Sequence, residues 1–120
     1  PTSKPDNEYN ILYDSASSSW LVIASEGKGV VITKTGSLRE IDLNRYVDDG
    51  FLVGNISYYQ KTIYIPMQGQ LHMIKVADDQ IIAKKMECHE IMTPESKLYD
   101  INREGFSIIT DNILYEVRKG

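Results

Sequence analysis

The stretch Glu87-Cys88-His89-Glu90, together with the distant His72, contains side-chain types that bind transition metals. Thiolate and imidazole groups are the usual zinc ligands, and a zinc site uses three or four ligands at characteristic spacings. The chain has one cysteine and two histidines, and neither a CxxC nor an HxxxH spacing occurs. The sequence therefore predicts neither a metal site nor a cofactor, and we expect Cys88 to be a small buried or half-buried side chain.

Hydrolytic and nucleotide chemistry require patterns that this chain does not contain. No GxSxG nucleophile elbow occurs. The acid pairs Asp48-Asp49 and Asp78-Asp79 lie in predicted turns, where adjacent side chains generally point apart and aspartate bonds to the backbone. Gly27-Lys28-Gly29 lacks the rest of either phosphate-binding fingerprint. We therefore expect a protein that is not an enzyme.

An internal repeat of about 43 residues organises the elements that position these side chains. Leu12-Tyr13-Asp14 recurs as Leu98-Tyr99-Asp100, and Trp20 recurs as Phe106, both at an offset of 86, which is twice 43. A middle copy contains Ile56-Ser57-Tyr58. Periods of this length with several short strands are typical of propeller blades. Because Trp20 and Phe106 occupy equivalent positions, we expect both to be buried.

Each copy is predicted to contain up to four antiparallel strands, because runs rich in Ile, Val, Leu and Tyr alternate with turn residues. The strands of the first copy are Asn10–Asp14, Trp20–Ser25, Val30–Lys34 and Ser37–Leu43. Those of the second are Leu52–Tyr58, Thr62–Met67, Gln70–Val76 and Gln80–Glu87, and those of the third are Leu98–Asn102, Phe106–Thr110 and Ile113–Arg118. We therefore expect one all-β domain over residues 1–120, with repeats at 10–43 and 52–87 and a partial repeat at 98–120.

Three stretches allow an alternative interpretation. Leu43–Asp48 could form a short helical turn. Ile81–Met92 contains good helix formers, although the repeat register and the early Pro94 favour a strand there. Pro66 falls inside a predicted strand, which indicates a bulge or an edge strand at that point.

Length, charge and composition limit the classes of function. A chain of 120 residues with 42% hydrophobic and 25% charged residues is ordinary for one globular domain. Its net charge of −4 argues against nucleic-acid binding through phosphate contacts and permits a basic protein partner. No apolar run approaches membrane-spanning length, and Pro1–Tyr9 is too polar for a signal peptide. Since Cys88 cannot form an internal disulfide, we expect a cytoplasmic protein.

The spacing and strand order resemble the repeats of β-propeller proteins over roughly Asn10 to Gly120. The resemblance is one of pattern, since neither a Trp-Asp pair nor a kelch-type double glycine occurs. It implies antiparallel, blade-like sheets. Propellers usually close with four or more blades, so three copies imply an incomplete ring packed as a sandwich, a ring completed by self-association, or part of a longer propeller. In size, acidity and solitary cysteine the chain also resembles small immunity proteins that neutralise interbacterial toxins.

In a blade-like arrangement, the connections divide between two ends of the sheets. Seven acids and three bases belong to one end, a sum of −4, whereas the charges predicted for the other end sum to zero. Carboxylates at one end, with tyrosines in predicted connections, would suit a protein interface. The predicted partner-binding residues are Glu26, Tyr46, Asp48, Asp49, Tyr59, Glu90, Glu95 and Asp111.

The sequence thus favours a non-enzymatic domain that binds another protein. The most concrete hypothesis is an immunity protein that blocks a basic bacterial toxin, for example a nuclease, whose phosphate-binding positions carboxylates would occupy. The alternative is a fragment or subunit of a larger β-propeller interaction scaffold.

Overall fold

The computed structural model describes residues 9–48 and 50–118, which form eleven strands in three antiparallel sheets. The first sheet contains β1 (Tyr9–Asp14), β2 (Ser19–Ala24), β3 (Lys28–Ile32) and β4 (Leu38–Asp42). The middle sheet contains β5 (Ser57–Tyr59), β6 (Thr62–Met67), β7 (Gln70–Val76) and β8 (Ile81–Glu87). The third contains β9 (Lys97–Asn102), β10 (Gly105–Thr110) and β11 (Ile113–Arg118). Within each sheet, strands adjacent in sequence are hydrogen-bonded antiparallel neighbours, which confirms the predicted all-β fold of antiparallel sheets.

The connections between sheets contain three short 3-10 helices. One of them, Leu43–Arg45, confirms the predicted helical turn, and the carboxylate of Asp42 caps it by accepting from the Asn44 backbone N–H. β8 confirms the strand interpretation of the ambiguous segment, and a 3-10 helix at His89–Ile91 follows it. The helix formers of β8 adopt a strand because β7 pairs with every residue from Ile81 to Glu87.

The prediction of a strand over Leu52–Tyr58 is wrong for its first half. Val53–Asn55 form a 3-10 helix, and the strand begins only at Ser57. The backbone N–H of Asn55 donates to Leu52 O, and the Lys97 ammonium donates to Gly54 O, so these backbone groups are bonded outside any strand ladder.

The short β5 also explains why a proline is tolerated at position 66 within β6. β5 pairs only with Thr62–Tyr64, so β6 is an edge at the proline, as predicted.

The three sheets stack in sequence order around two cores. We call the side of each sheet that faces the next sheet its forward face, and the opposite side its backward face. Leu21 and Ile23 on the forward face of the first sheet pack with Ile63 and Ile65 on the backward face of the middle sheet. The forward face of the middle sheet packs on the backward face of the third, in a cluster that contains Tyr64, Leu71, Leu98, Phe106 and Ile108. Successive side chains of β6 therefore enter different cores, as strand geometry requires.

The prediction that Trp20 is buried is wrong, whereas Phe106 is buried as expected. The repeat alignment is not the cause, because both residues are the second residue of the second strand of their sheets and both lie on backward faces. Phe106 is covered by the middle sheet. Among the described residues, no sheet precedes the first one, so Trp20 stays exposed and contacts Tyr13 with 4.7 Å between ring centroids.

A bulge distinguishes the third sheet from the first. The register of β9 and β10 shifts between Gly105 and Ser107, and Asp100 on the bulged strand has a φ of 52°. A one-residue shift moves side chains to the other face of a strand. Leu98 therefore packs on the backward face, whereas Leu12, its partner in the sequence repeat, lies on the forward face.

Candidate functional site

Consecutive strands of each sheet run in opposite directions, so the connections between strands lie alternately at two ends of the stack of sheets. We call one the crossover end. It contains the β2–β3, β6–β7 and β10–β11 turns and the two sheet-to-sheet connections, residues 43–56 and 88–96. The hairpin end contains the remaining turns.

Hydrogen bonds hold the sheet-to-sheet connections against the turns of the crossover end. Asn44 Nδ2 donates to Glu26 O at 2.8 Å, the Cys88 backbone N–H donates to Gly69 O at 2.9 Å, and Thr110 Oγ1 donates to Ile91 O at 3.3 Å. Each bond links a connection to the neighbouring tight turn. Asn55 Nδ2 donates to Pro94 O at 2.9 Å and joins the two connections, so the irregular segments form one surface.

Five of the predicted partner-binding acids lie at this crossover end with exposed side chains, namely Glu26, Asp48, Glu90, Glu95 and Asp111. Asp49 lies outside the described residues. Of the bases, Lys97 is half-buried, and its ammonium donates to the carbonyls of Gly54 and Ile56 at 3.3 and 3.2 Å. Burial lowers the pKa of Lys97. This cation is turned toward the backbone, so it balances the exposed carboxylates less than its formal charge suggests.

The two predicted tyrosines lie in different places. Tyr46 follows the 3-10 helix Leu43–Arg45 at the crossover end, where it is half-buried against the first core. Tyr59 was expected in a connection, but it is the last residue of β5, at the hairpin end, and packs against the second core. Tyr59 belongs to the strand because it pairs with Thr62 across the two-residue turn Gln60-Lys61. A surface formed by the acids therefore includes Tyr46 and excludes Tyr59.

Tyr46 and Glu26 line the same open depression of about 860 Å³ beside the first sheet. Asp42 and Arg45 contribute charged groups to its wall, and Ile81 contributes apolar surface. This arrangement provides a concave patch with two tyrosine rings, Tyr9 and Tyr46, and mixed charge next to the acidic crossover end.

The hairpin end contains a buried polar network that the sequence interpretation missed. Asp14 accepts from the Ser17 hydroxyl, from the Ala16 backbone N–H at 3.2 Å and from the Lys61 backbone N–H at 3.1 Å. Ser17 Oγ also lies 2.7 Å from Ser19 Oγ, which lies 2.7 Å from Tyr58 Oη. The signal was present in the sequence, because an aspartate followed by a run of serines favours turns closed by side-chain to backbone bonds.

The charge state of this network fits a structural role. Burial raises the pKa of Asp14, but the hydrogen bonds from Ser17, Gln60, Lys61 and Ala16 outweigh it, so the pKa lies below its usual value. Burial raises the pKa of Tyr58, and the Asp14 charge adds to the effect. The result is an ionised carboxylate and a neutral phenol, which join the β1–β2 loop to the middle sheet. No hydrogen bond found within residues 9–48 and 50–118 connects a histidine to this network.

In the part of the chain that the structure describes, the cysteine and histidine side chains do not come together into a metal site. Cys88 is buried in the second core, which confirms the prediction of a small buried side chain, and burial raises the pKa of its thiol. Burial lowers the pKa of His72, and Lys85 lowers it further. The side chain of His89 lies outside the described part of the structure. Within that part, no group of three or more His, Cys, Asp or Glu residues is placed to hold a metal ion.

Comparison of the chain with protein-family models, with curated proteins and with solved structures found no match. In the described ranges, none of the helices has the length and apolar character that crossing a bilayer would require.

Proposed function

We propose that this chain is a non-enzymatic domain that binds a basic surface of another protein through its crossover end. The observation that supports the proposal is the collection of exposed carboxylates of Glu26, Asp48, Glu90, Glu95 and Asp111 on one surface. Carboxylates on an exposed rim attract a basic partner over several ångströms and accelerate its association. Tyr46 in the adjoining depression supplies an aromatic contact of the kind that protein interfaces favour.

The most concrete form of the proposal is an immunity protein that blocks a basic bacterial toxin. A nuclease toxin would suit best, because protein carboxylates would occupy the positions at which it holds phosphates. The same proposal places the protein in the cytoplasm, where a domain with one cysteine and no disulfide is stable.

The test compares charge reversals at the two ends of the sheets. Asp48→Lys with Glu90→Lys alters the crossover end, and Asp78→Lys with Asp79→Lys alters the hairpin end. All four residues are exposed, and Asp78 loses only an exposed ion pair with Lys61, which contributes little stability. The partner is captured from the native host, and association rates are measured at low and high salt.

We expect the crossover reversal to slow association at least about tenfold at low salt and to weaken its salt dependence, because exposed charges act mainly on the rate of encounter. The hairpin reversal should change the rate much less. Equal effects of the two pairs would refute the one-ended interface, and an acidic partner would refute the electrostatic mechanism.

A second candidate is a subunit or fragment of a larger β-propeller scaffold. Its support is the stacking of the sheets, in which β1 contacts β5 and β5 contacts β9, so that the first strands of successive sheets lie side by side. Such convergence of innermost strands is what a propeller requires around its central channel.

A further inference from the structure

Two sheet faces at opposite ends of the stack expose large apolar side chains and are covered by no described sheet. The backward face of the first sheet exposes Tyr9, Ile11, Tyr13, Trp20 and Leu38. The forward face of the third sheet exposes Tyr99, Ile109 and Leu114 beside the charged Glu116 and Arg118. A monomer rarely exposes a contiguous apolar surface of this kind unless the surface binds something.

The repeat shows what normally covers such positions. Trp20, Ile63 and Phe106 are spaced by 43 residues and hold the same place on the backward faces of the three sheets. Ile63 is 0% exposed and Phe106 4% exposed, because the preceding sheet covers each of them, whereas Trp20 is 43% exposed. Trp20 therefore occupies a position that the preceding sheet covers in the other two sheets.

The forward faces show the same relation at the other end of the stack. Leu71 and Leu114, also 43 residues apart, are each the second residue of the third strand of their sheets. Leu71 is 0% exposed under the third sheet, and Leu114 is 61% exposed with no described sheet beyond it. Inside the molecule, the forward face of one sheet packs on the backward face of the next sheet. The exposed forward face of the third sheet and the exposed backward face of the first sheet therefore match each other in the same way.

We propose that a second copy of this chain covers both faces, with the forward face of each third sheet packed on the backward face of the partner's first sheet. A contact between two different faces is heterologous, and such contacts either close into a ring or continue into a filament. Two copies related by a two-fold axis form two identical contacts and a closed ring of six sheets. Six lies within the four to eight blades of known propellers. The inference rests on the blade-like stacking and does not use the exposed carboxylates of the crossover end. The depression beside Tyr46 shares Tyr9 and Leu38 with the backward face of the first sheet, so a second copy would border it.

The test measures the mass of the 120-residue chain by sedimentation over a wide range of protein concentration. We expect a species of twice the chain mass of 13.7 kDa. Trp20, the one tryptophan of the chain, reports on the contact directly. Its fluorescence should shift to shorter wavelength and become protected from a soluble quencher as the dimer forms.

Two variants test the pairing of the faces. Trp20→Asp and Leu114→Asp each place a charge at both contacts of a dimer, and each should weaken dimerisation at least about tenfold, since an unpaired carboxylate is costly to bury. Both positions are exposed in the single chain, so folding should be unaffected and can be checked by circular dichroism. Leu52→Asp, at an exposed leucine in the connection 43–56 that belongs to neither face, is the matched control and should leave the dimer intact.

A mixture of the two variants gives the sharpest result. In a mixed dimer, one contact joins the two altered faces and the other joins two unaltered faces. Dimers should therefore reappear on mixing, with lower affinity than in the wild type. A chain that stays monomeric with Trp20 open to the quencher, a dimer that Trp20→Asp weakens and Leu114→Asp does not, or a mixture without recovery would each overturn the proposal. None of these outcomes tests the role of the exposed carboxylates of the crossover end, which the charge reversals measure separately.

Discussion

Asp14 is the residue that most directly joins two parts of the chain. Its two carboxylate oxygens divide their bonds, since Oδ1 accepts from the Ala16 N–H and Oδ2 from Ser17 and from the Lys61 N–H. The bonds from Ala16 and Ser17 close the β1–β2 loop, and the bond from Lys61 attaches that loop to the turn between β5 and β6. One ionised side chain therefore links the first sheet to the middle sheet.

We predict that Asp14→Asn lowers the free energy of unfolding at pH 7 by about 1–3 kcal/mol, the usual cost of leaving a buried donor unpaired. Asparagine retains one acceptor oxygen, so it cannot satisfy both groups of donors. Because the pKa of Asp14 is lowered in the folded protein, its carboxylate stabilises the fold above the unfolded pKa, and this stabilisation is lost as the pH falls through the folded pKa. Urea denaturation of both proteins from pH 7 to below pH 3 measures the effect.

The control for this substitution is Asp78→Asn. Asp78 bonds to the side chain of Lys61 at 3.1 Å, while Asp14 bonds to the backbone of the same residue. The Asp78 side chain is 90% exposed, so its removal should change stability little. If the two substitutions have equal effects, or if the Asp14→Asn deficit persists unchanged at the lowest pH, the assigned role of Asp14 is wrong.

At the scale of the strands, the sequence was informative wherever a neighbour in the chain decides the structure. Alternating apolar residues and turn residues act locally, so all eleven strands could be predicted, some with bounds wrong by a few residues. The 3-10 helix within Leu52–Ile56 could not be predicted, because distant parts of the chain hold it. Lys97 donates to Gly54 O, and Asn55 Nδ2 donates to Pro94 O. Burial of Trp20 could not be predicted either, since it depends on whether a sheet lies beyond the first one.

Close contact between neighbouring strands gives a prediction about glycine. A Cβ at Gly29 would lie 2.2 Å from Val22 O and 2.8 Å from Ile23 Cα, both backbone atoms of the paired strand β2. Gly29→Ala must therefore separate β2 from β3 and should cost about 1–3 kcal/mol or more of unfolding free energy. Thermal or urea denaturation measures it.

Gly54→Ala is the comparison for that substitution. A Cβ at Gly54 meets no atom within 4 Å, and its φ lies outside the left-handed region. This alanine should be neutral or slightly stabilising, because it restricts the unfolded chain. A Gly29→Ala variant as stable as Gly54→Ala would contradict the close pairing of β2 and β3.

At the scale of the whole molecule, the repeat predicts how many sheets form and the charge pattern predicts which end is acidic. Both properties follow from residue types at known spacings. The acidic surface was predicted correctly in one respect, that Glu26, Asp48 and Glu90 lie at the crossover end with exposed side chains. The place of Tyr59 depended on which residues form the β5–β6 turn. That turn consists of Gln60 and Lys61, which adopt positive φ although neither is a residue type that marks such a turn. Whether these residues bind a partner stays a prediction.

The position of the middle sheet between the two cores has a consequence for the rates of amide hydrogen exchange. β6 and β7 are paired on both sides for part of their length and send side chains into both cores, so releasing their amides requires both cores to separate. In dilute, monomeric protein we expect their amides to exchange most slowly, near the rate set by global unfolding, with faster exchange in β1, β4 and β11 through local opening. Residue-resolved exchange measured by NMR would show this gradient, and equal protection of β11 and β6 would contradict it. The chain would then open from its two ends inward, with the middle sheet as the last part to lose its structure.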